Sequence, residues 1–158
     1  MKRNALKKMP VLLVPLLGAI TFGAYIGYWF YSRSEQLDKL SNKKAGRFPI
    51  GLANLAALVG LISSGSVLAW FAASYFGPSE SATIFGMLRQ MLGLATWIFW
   101  ILLAFDTRKI LASRYKRSIS AGMTFFFGVI YLQYVINRLG VAAKRGAKRR
   151  LKVSRNER

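Results

Sequence analysis

The sequence predicts an all-α integral membrane protein organised around a central two-helix transmembrane hairpin. Three observations predict it. Ile50–Phe76 contains no charged residue and Ile84–Phe105 contains only Arg89. At ~1.5 Å rise per residue, each stretch covers the ~30 Å hydrocarbon core of a bilayer. The turn between them, Gly77-Pro78-Ser79-Glu80-Ser81, carries one acid and no base. Basic residues flank the hairpin on both sides: Arg33, Lys39, Lys43, Lys44 and Arg47 before it, and Arg108, Lys109, Arg114, Lys116 and Arg117 after it. The positive-inside rule places both flanks in the cytoplasm and the turn outside. Helices are the expected form because a backbone in lipid must close its own hydrogen bonds.

Composition narrows the chemistry. The 158 residues are 54% hydrophobic with a formal charge of +19. That suits one polytopic membrane domain, residues 1–141, with a polybasic cytoplasmic tail, 142–158, and no separate soluble domain. There is no Cys and no His, which removes thiolate chemistry, disulfides and the commonest general base and metal ligand. The five acids are Glu35, Asp38, Glu80, Asp106 and Glu157, and none lies deep in an apolar run. Neither a catalytic pair nor a metal cluster can be assembled, so no cofactor, no metal and no enzymatic activity are expected. The bases lie beside apolar segments, which makes anionic lipid headgroups a nearer partner than nucleic acid.

Pro10–Tyr31 is free of charge over 22 residues but is interrupted by Pro15, Gly18, Gly23 and Gly27. Both of its ends are basic. It reads either as a kinked spanning helix or as a re-entrant hairpin, with Gly23 at the bend. Met1–Pro10 and the apolar run behind it mimic a signal peptide, but Tyr25–Tyr31 makes a poor cleavage region, so retention is expected. Tyr28, Trp29, Phe30 and Tyr31 suit the headgroup level. Ser32–Phe48 reads as a short amphipathic cytoplasmic helix ending near Asn42. Pro49 then opens the second apolar segment, where its missing N–H is harmless.

Within that segment Ala56, Gly60 and Ser64 recur every four residues, a face that admits close helix packing. Its expected partner is the third segment, with Gly86 and Gly93. Arg89 can snorkel toward the turn and pair with Glu80 or a lipid phosphate. Asp106-Thr107 suggests the start of a second short helix, Arg108–Ser118. Met123–Ile136 is uncharged over only fourteen residues, ~21 Å of helix, and reads as a half-membrane or re-entrant element with its bend at Gly128. Beyond Arg138 a solvated, irregular polybasic tail is expected. Lipid headgroup contact is assigned to Lys43, Lys44, Arg47, Arg114, Lys116, Arg117, Lys144, Arg145, Lys148, Arg149 and Arg150.

Two stretches repeat a pattern. Thr21-Phe22-Gly23 with Tyr25 and Tyr28 precedes one basic segment, and Thr124-Phe125 with Gly128, Tyr131 and Tyr134 precedes another. If both outer segments re-enter, every Lys and Arg except Arg89 lies on one side. This favours two crossings with two membrane-dipping flanks. The run Thr21-Phe22-Gly23-Ala24-Tyr25-Ile26-Gly27-Tyr28-Trp29-Phe30-Tyr31, with Glu35-Gln36-Leu37 behind it, resembles the small membrane proteins of domain of unknown function 4234. Tyr131-Leu132-Gln133-Tyr134 with Ile136-Asn137 is similar to that family's later segment. Ala24 departs from the pattern, standing where a larger aliphatic residue is usual. The resemblance implies a bacterial inner-membrane protein and supplies no catalytic residue.

Three functions compete on these grounds. The first is a non-enzymatic accessory or organising subunit of a larger membrane complex, contacting anionic lipid and other membrane subunits. The second is a small transporter, channel or lipid-moving protein, with Thr21, Gly23, Ser63, Ser64 and Thr124 as candidate lining. The third, a nucleic-acid tether through the tail, is disfavoured because no aromatic residue interleaves the bases there.

Overall fold

A computed structural model of the chain describes the backbone of residues 9–41 and 46–156, and side chains as far as Leu139. Six helices follow one another: α1 (Leu13–Ile20), α2 (Ala24–Tyr31), α3 (Ser34–Leu40), α4 (Ile50–Phe76), α5 (Ser79–Tyr115) and α6 (Ala121–Asn156). Two of them, α4 and α5, are long and apolar enough to cross a membrane. Pro49 and Pro78 stand immediately before these two helices, where a residue without an N–H leaves no ladder bond unmade.

The first apolar stretch is not one helix. Phe22 and Gly23 both adopt left-handed backbone, with φ of 48° and 93°, and this ends α1 and reverses the chain. The Thr21 hydroxyl supports the reversal from both sides. It donates to the Leu17 carbonyl at 2.7 Å and accepts from the Tyr25 N–H at 3.0 Å. Pairings across the bend show how far the chain returns. The Met9 sulfur accepts from Arg33 Nη2 at 3.2 Å, although an unbroken helix would separate residues 9 and 33 by ~36 Å. The segment therefore starts and ends at the same place.

α6 bends in a related way. Gly128, with φ 43° and ψ −121°, lies outside helical geometry in the middle of it. The Tyr131 hydroxyl accepts from the Ser120 N–H at 3.4 Å; an unbroken helix would hold those residues ~16 Å apart along its axis.

The core gathers around the ends of α4 and α5 remote from their turn. Trp29, Phe30 and Leu37 pack there with Leu103, Ile110, Leu111 and Leu132, all fully buried. The half of the hairpin nearer the turn is bare, with Phe71, Tyr75, Phe76, Ile84 and Met91 exposed.

Several expectations change. There is no separate helix over 108–118: α5 continues unbroken through Asp106 and Thr107 to Tyr115, because Thr107 is buried in the core and Asp106 pairs with Lys109 at 3.3 Å instead of capping. The backbone beyond Arg138 is helical to Asn156 and is not irregular. Trp29 and Phe30 belong to the core, and only Tyr28 and Tyr31 of that aromatic group are exposed.

Candidate functional site

Two places combine polar chemistry with burial, and each is an arginine lying over a tryptophan.

The first closes the outer segments onto each other. The Arg33 guanidinium lies 4.4 Å from the centroid of the Trp29 ring, four residues earlier on the same helical turn sequence. Both side chains reach Gln133 of α6. Its Oε1 accepts from Trp29 Nε1 at 3.0 Å and from Arg33 Nη2 at 3.2 Å. Gln133 Nε2 donates to Asn137 Oδ1 at 2.9 Å, and Asn137 Nδ2 donates to the Met9 carbonyl at 2.6 Å. Arg33 and Gln133 are buried to 2% and 0% exposure. Burial pushes the Arg33 pKa below the ordinary arginine value, opposed by the neighbouring phenols of Tyr25 and Tyr28. An arginine still keeps its proton at neutral pH. The Gln133 amide thus serves as a polar anchor for a cation in the packed interior, which is how buried polar groups avoid a desolvation penalty.

The second place is on the bare half of the hairpin. The Arg89 guanidinium lies 4.7 Å from the Trp70 ring centroid. Salt bridges among the described residues are confined to Lys39–Glu35 and Lys109–Asp106, so Arg89 does not pair with the exposed Glu80. Beside Arg89 runs a groove of about 540 Å³, lined by Ser63, Gly60, Gly93, Trp100 and Phe22. A smaller cavity of about 340 Å³ lies on the other side of Trp100, between α1, α5 and the bend of α6 at Gly128.

The small-residue face of α4 meets α2, not α5. A Cβ on Gly27 would lie 2.8 Å from the Ala56 carbonyl oxygen and 2.9 Å from Ala57 Cα. Gly60 faces Ala24 Cα, and the Ser64 hydroxyl donates to the Phe22 carbonyl at 3.2 Å. Gly86 faces the Trp70 indole, and Gly93 opens on the groove. The reason is that α2 presents Ala24 and Gly27 to it, a flatter surface than α5, whose neighbouring positions carry Trp97 and Trp100.

Of the residues assigned to lipid headgroups, Arg47, Arg114, Lys116 and Arg117 are exposed. Lys43 and Lys44 lie outside the described residues, as do the side chains of Lys144, Arg145, Lys148, Arg149 and Arg150. Among the described residues no group of acids, His or Cys could hold a metal ion. The Arg33–Gln133 junction is not foreseen in the sequence, where Gln133 and Asn137 figure only in the family resemblance. Their four-residue spacing puts them on one helical face, but nothing in it points to a partner a hundred residues away.

A family model described as Domain of unknown function (DUF4234) matches residues 9–113. The chain belongs to that family. The DUF4234 match opens at Met9, the residue that closes on Arg33, and covers α1 to α4 and nearly all of α5. α6, which supplies Gln133 and Asn137, lies beyond it. Comparison with curated proteins and with solved structures finds no match.

Proposed function

We propose that this DUF4234 protein is a non-enzymatic inner-membrane protein that serves as an accessory or organising subunit of a larger membrane complex. In this reading α4 and α5 cross the bilayer, with their turn outside. The α1–α2 and α6 bends dip from the cytoplasmic side and return to it. The bases of the cytoplasmic end, with Arg47, Arg114, Lys116 and Arg117 exposed, hold that end against anionic headgroups.

The observation that carries the reading is the outward face of α4. Gly51, Asn54, Leu58, Leu61, Gly65 and Leu68 repeat with alternating spacings of three and four, and all six are exposed. That is the spacing of a left-handed helix–helix seam. Leucine would serve better against lipid alone. Two glycines whose added Cβ would meet open space, with an asparagine between them, suit close approach and a hydrogen bond to another membrane helix. Replacing Gly65 with Leu and Asn54 with Leu should abolish stoichiometric copurification of a membrane partner in mild detergent while leaving the chain folded. A doubly substituted chain that keeps its partners, or a wild-type chain that stays solitary and fully active, would refute the subunit role.

A second reading, a small transporter or lipid-moving protein, is favoured by one feature: both bends, at Gly23 and Gly128, approach Trp100 and the cavities beside it. Broken helices meeting around a cavity are how transporters build sites at mid-membrane. Flux in proteoliposomes separates this from the subunit reading.

A further inference from the structure

The groove beside Arg89 is unused by the packing of the chain and by the α4 seam. We infer that it binds one anionic phospholipid from the leaflet on the side of the α4–α5 turn, with the phosphate on Arg89 and an acyl chain along the groove. The inference rests on the reading of α4 and α5 as membrane spans.

Geometry, chemistry and depth agree on that occupant. Side chains on a helix lean toward its N-terminus, and the N-terminus of α5 is at the turn. Arg89 therefore climbs toward the turn-side surface. Its contact confirms the direction: Arg89 stands ten residues below the start of α5, but its guanidinium lies over Trp70, only six residues below the end of α4. Helix rise turns that difference into a climb of ~6 Å. The Nε of Arg89 is buried and has no hydrogen-bond partner among the described residues. A planar guanidinium that no carboxylate pairs among the described residues suits a phosphate diester.

Below Arg89 the wall is apolar or small: Gly93, Leu94, Val67 and Trp97 lead down to Trp100. The eleven residues from Arg89 to Trp100 cover ~16 Å of helix, close to half of a ~30 Å hydrocarbon core. The groove is thus as long as an acyl chain within one leaflet, ~15 Å. Phe22, at the tip of the α1–α2 bend, also lines it. A soluble anion would meet Arg89 but has no use for the apolar channel, and an uncharged lipid would leave the guanidinium unanswered. A volume of about 540 Å³ lies within the range of built ligand sites, ~300–1,000 Å³.

The test is native mass spectrometry of the full-length chain in mild detergent, titrated with phosphatidylglycerol or phosphatidylcholine. The chain has many other bases, so the readout is the one phosphatidylglycerol that survives on wild type and is lost with specific changes. Arg89→Gln should lower its occupancy about tenfold, the worth of one charge-assisted hydrogen bond, and Arg89→Lys should restore most of it. Gly93→Leu should displace it with the charge intact; a Cβ there meets no neighbour within 4 Å and the groove takes the rest of the side chain, so this variant should fold even if Arg89→Gln does not. Replacing the tail bases Lys148, Arg149 and Arg150 with Gln should leave that lipid in place. Undiminished retention in both Arg89→Gln and Gly93→Leu overturns the inference. Flotation of the wild-type chain with liposomes after alkaline extraction tests the spanning reading separately: a chain that floats but shows no Arg89-dependent lipid refutes the site alone, and a chain that does not float refutes the spans.

Discussion

Arg33 and Arg89 make the same local contact in opposite surroundings. Each guanidinium covers an indole, at 4.4 Å over Trp29 and 4.7 Å over Trp70. Around Arg33 the chain has built a closed interior, with a glutamine from α6, a carbonyl and the Met9 sulfur on the guanidinium and α2, α3 and α6 packed over the base of the hairpin. Around Arg89, among the described residues, the recorded contact is the tryptophan, and a groove opens beside it. The difference teaches that a cation–π pair does not declare its role. A stacked arginine worth ~1 kcal/mol on its own becomes a structural rivet when a hydrogen-bonding partner desolvates with it, and stays a half-buried cation beside a groove when none does. The same contrast divides the whole molecule into a packed base and a bare turn half.

The base should therefore be intolerant of change and the turn half tolerant. The largest effect is expected at Gly27, where the obstacle is the backbone of α4 and cannot move aside. Gly27→Leu should separate α2 from α4 and cost more than ~3 kcal/mol, seen as loss of a monodisperse species in detergent. A Tm within a few degrees of wild type would mean that α2 does not pack there. Next comes Gln133→Leu, which leaves the Trp29 N–H and the Arg33 guanidinium without a shared acceptor. The expected cost is about 3 kcal/mol, against about 1 kcal/mol for Arg89→Gln on the bare half, the worth of its stack on Trp70. Thermal unfolding of the two variants side by side measures the ratio, and equal losses would erase the distinction between the two arginines.

Smaller effects sharpen the contrast between the two bends. Gly23→Ala meets both a left-handed φ and Trp100 Cη2 at 2.7 Å, whereas Gly128→Ala meets a left-handed φ in open space. Gly128→Ala should cost only the strain of its backbone, about 1–3 kcal/mol, and Gly23→Ala distinctly more. The opposite order would show that Trp100 yields and that the α6 bend is the tighter one. The smallest effect belongs to Glu35→Gln, which removes an exposed pair with Lys39 at 3.9 Å; the change in stability should stay below ~0.5 kcal/mol at any salt concentration.

The limits of α4 were legible because an uncharged run between Pro49 and Gly77-Pro78 has obvious ends. Gly23 and Gly128 could be named as bends because glycine in an apolar helix is costly without a reason. Phe22 could not, since a bulky residue is a poor candidate for left-handed backbone. The α4 stripe of Ala56, Gly60 and Ser64 was visible, but its partner was not. Small residues announce a close approach without saying which helix approaches. The continuation of α5 past Asp106-Thr107 was hidden because a capping pair inside a helix has the same sequence as one at its start; burial of Thr107 decides between them. The Arg33–Gln133 junction depends on contacts 100 residues apart, and local pattern carries no information about those.

In the proposed topology the segment from Met9 to Arg33 starts and ends on one side of a bilayer. Reporters fused ahead of Met1 and behind Arg158, with a single cysteine at Ser79 or Ser81 labelled in intact cells, test this in one experiment. Both fusions should report cytoplasm, and the cysteine should label from outside. A fusion at Met1 that reports the same side as Ser79 would mean that the first apolar segment crosses, contradicting the return that brings Met9 onto Arg33.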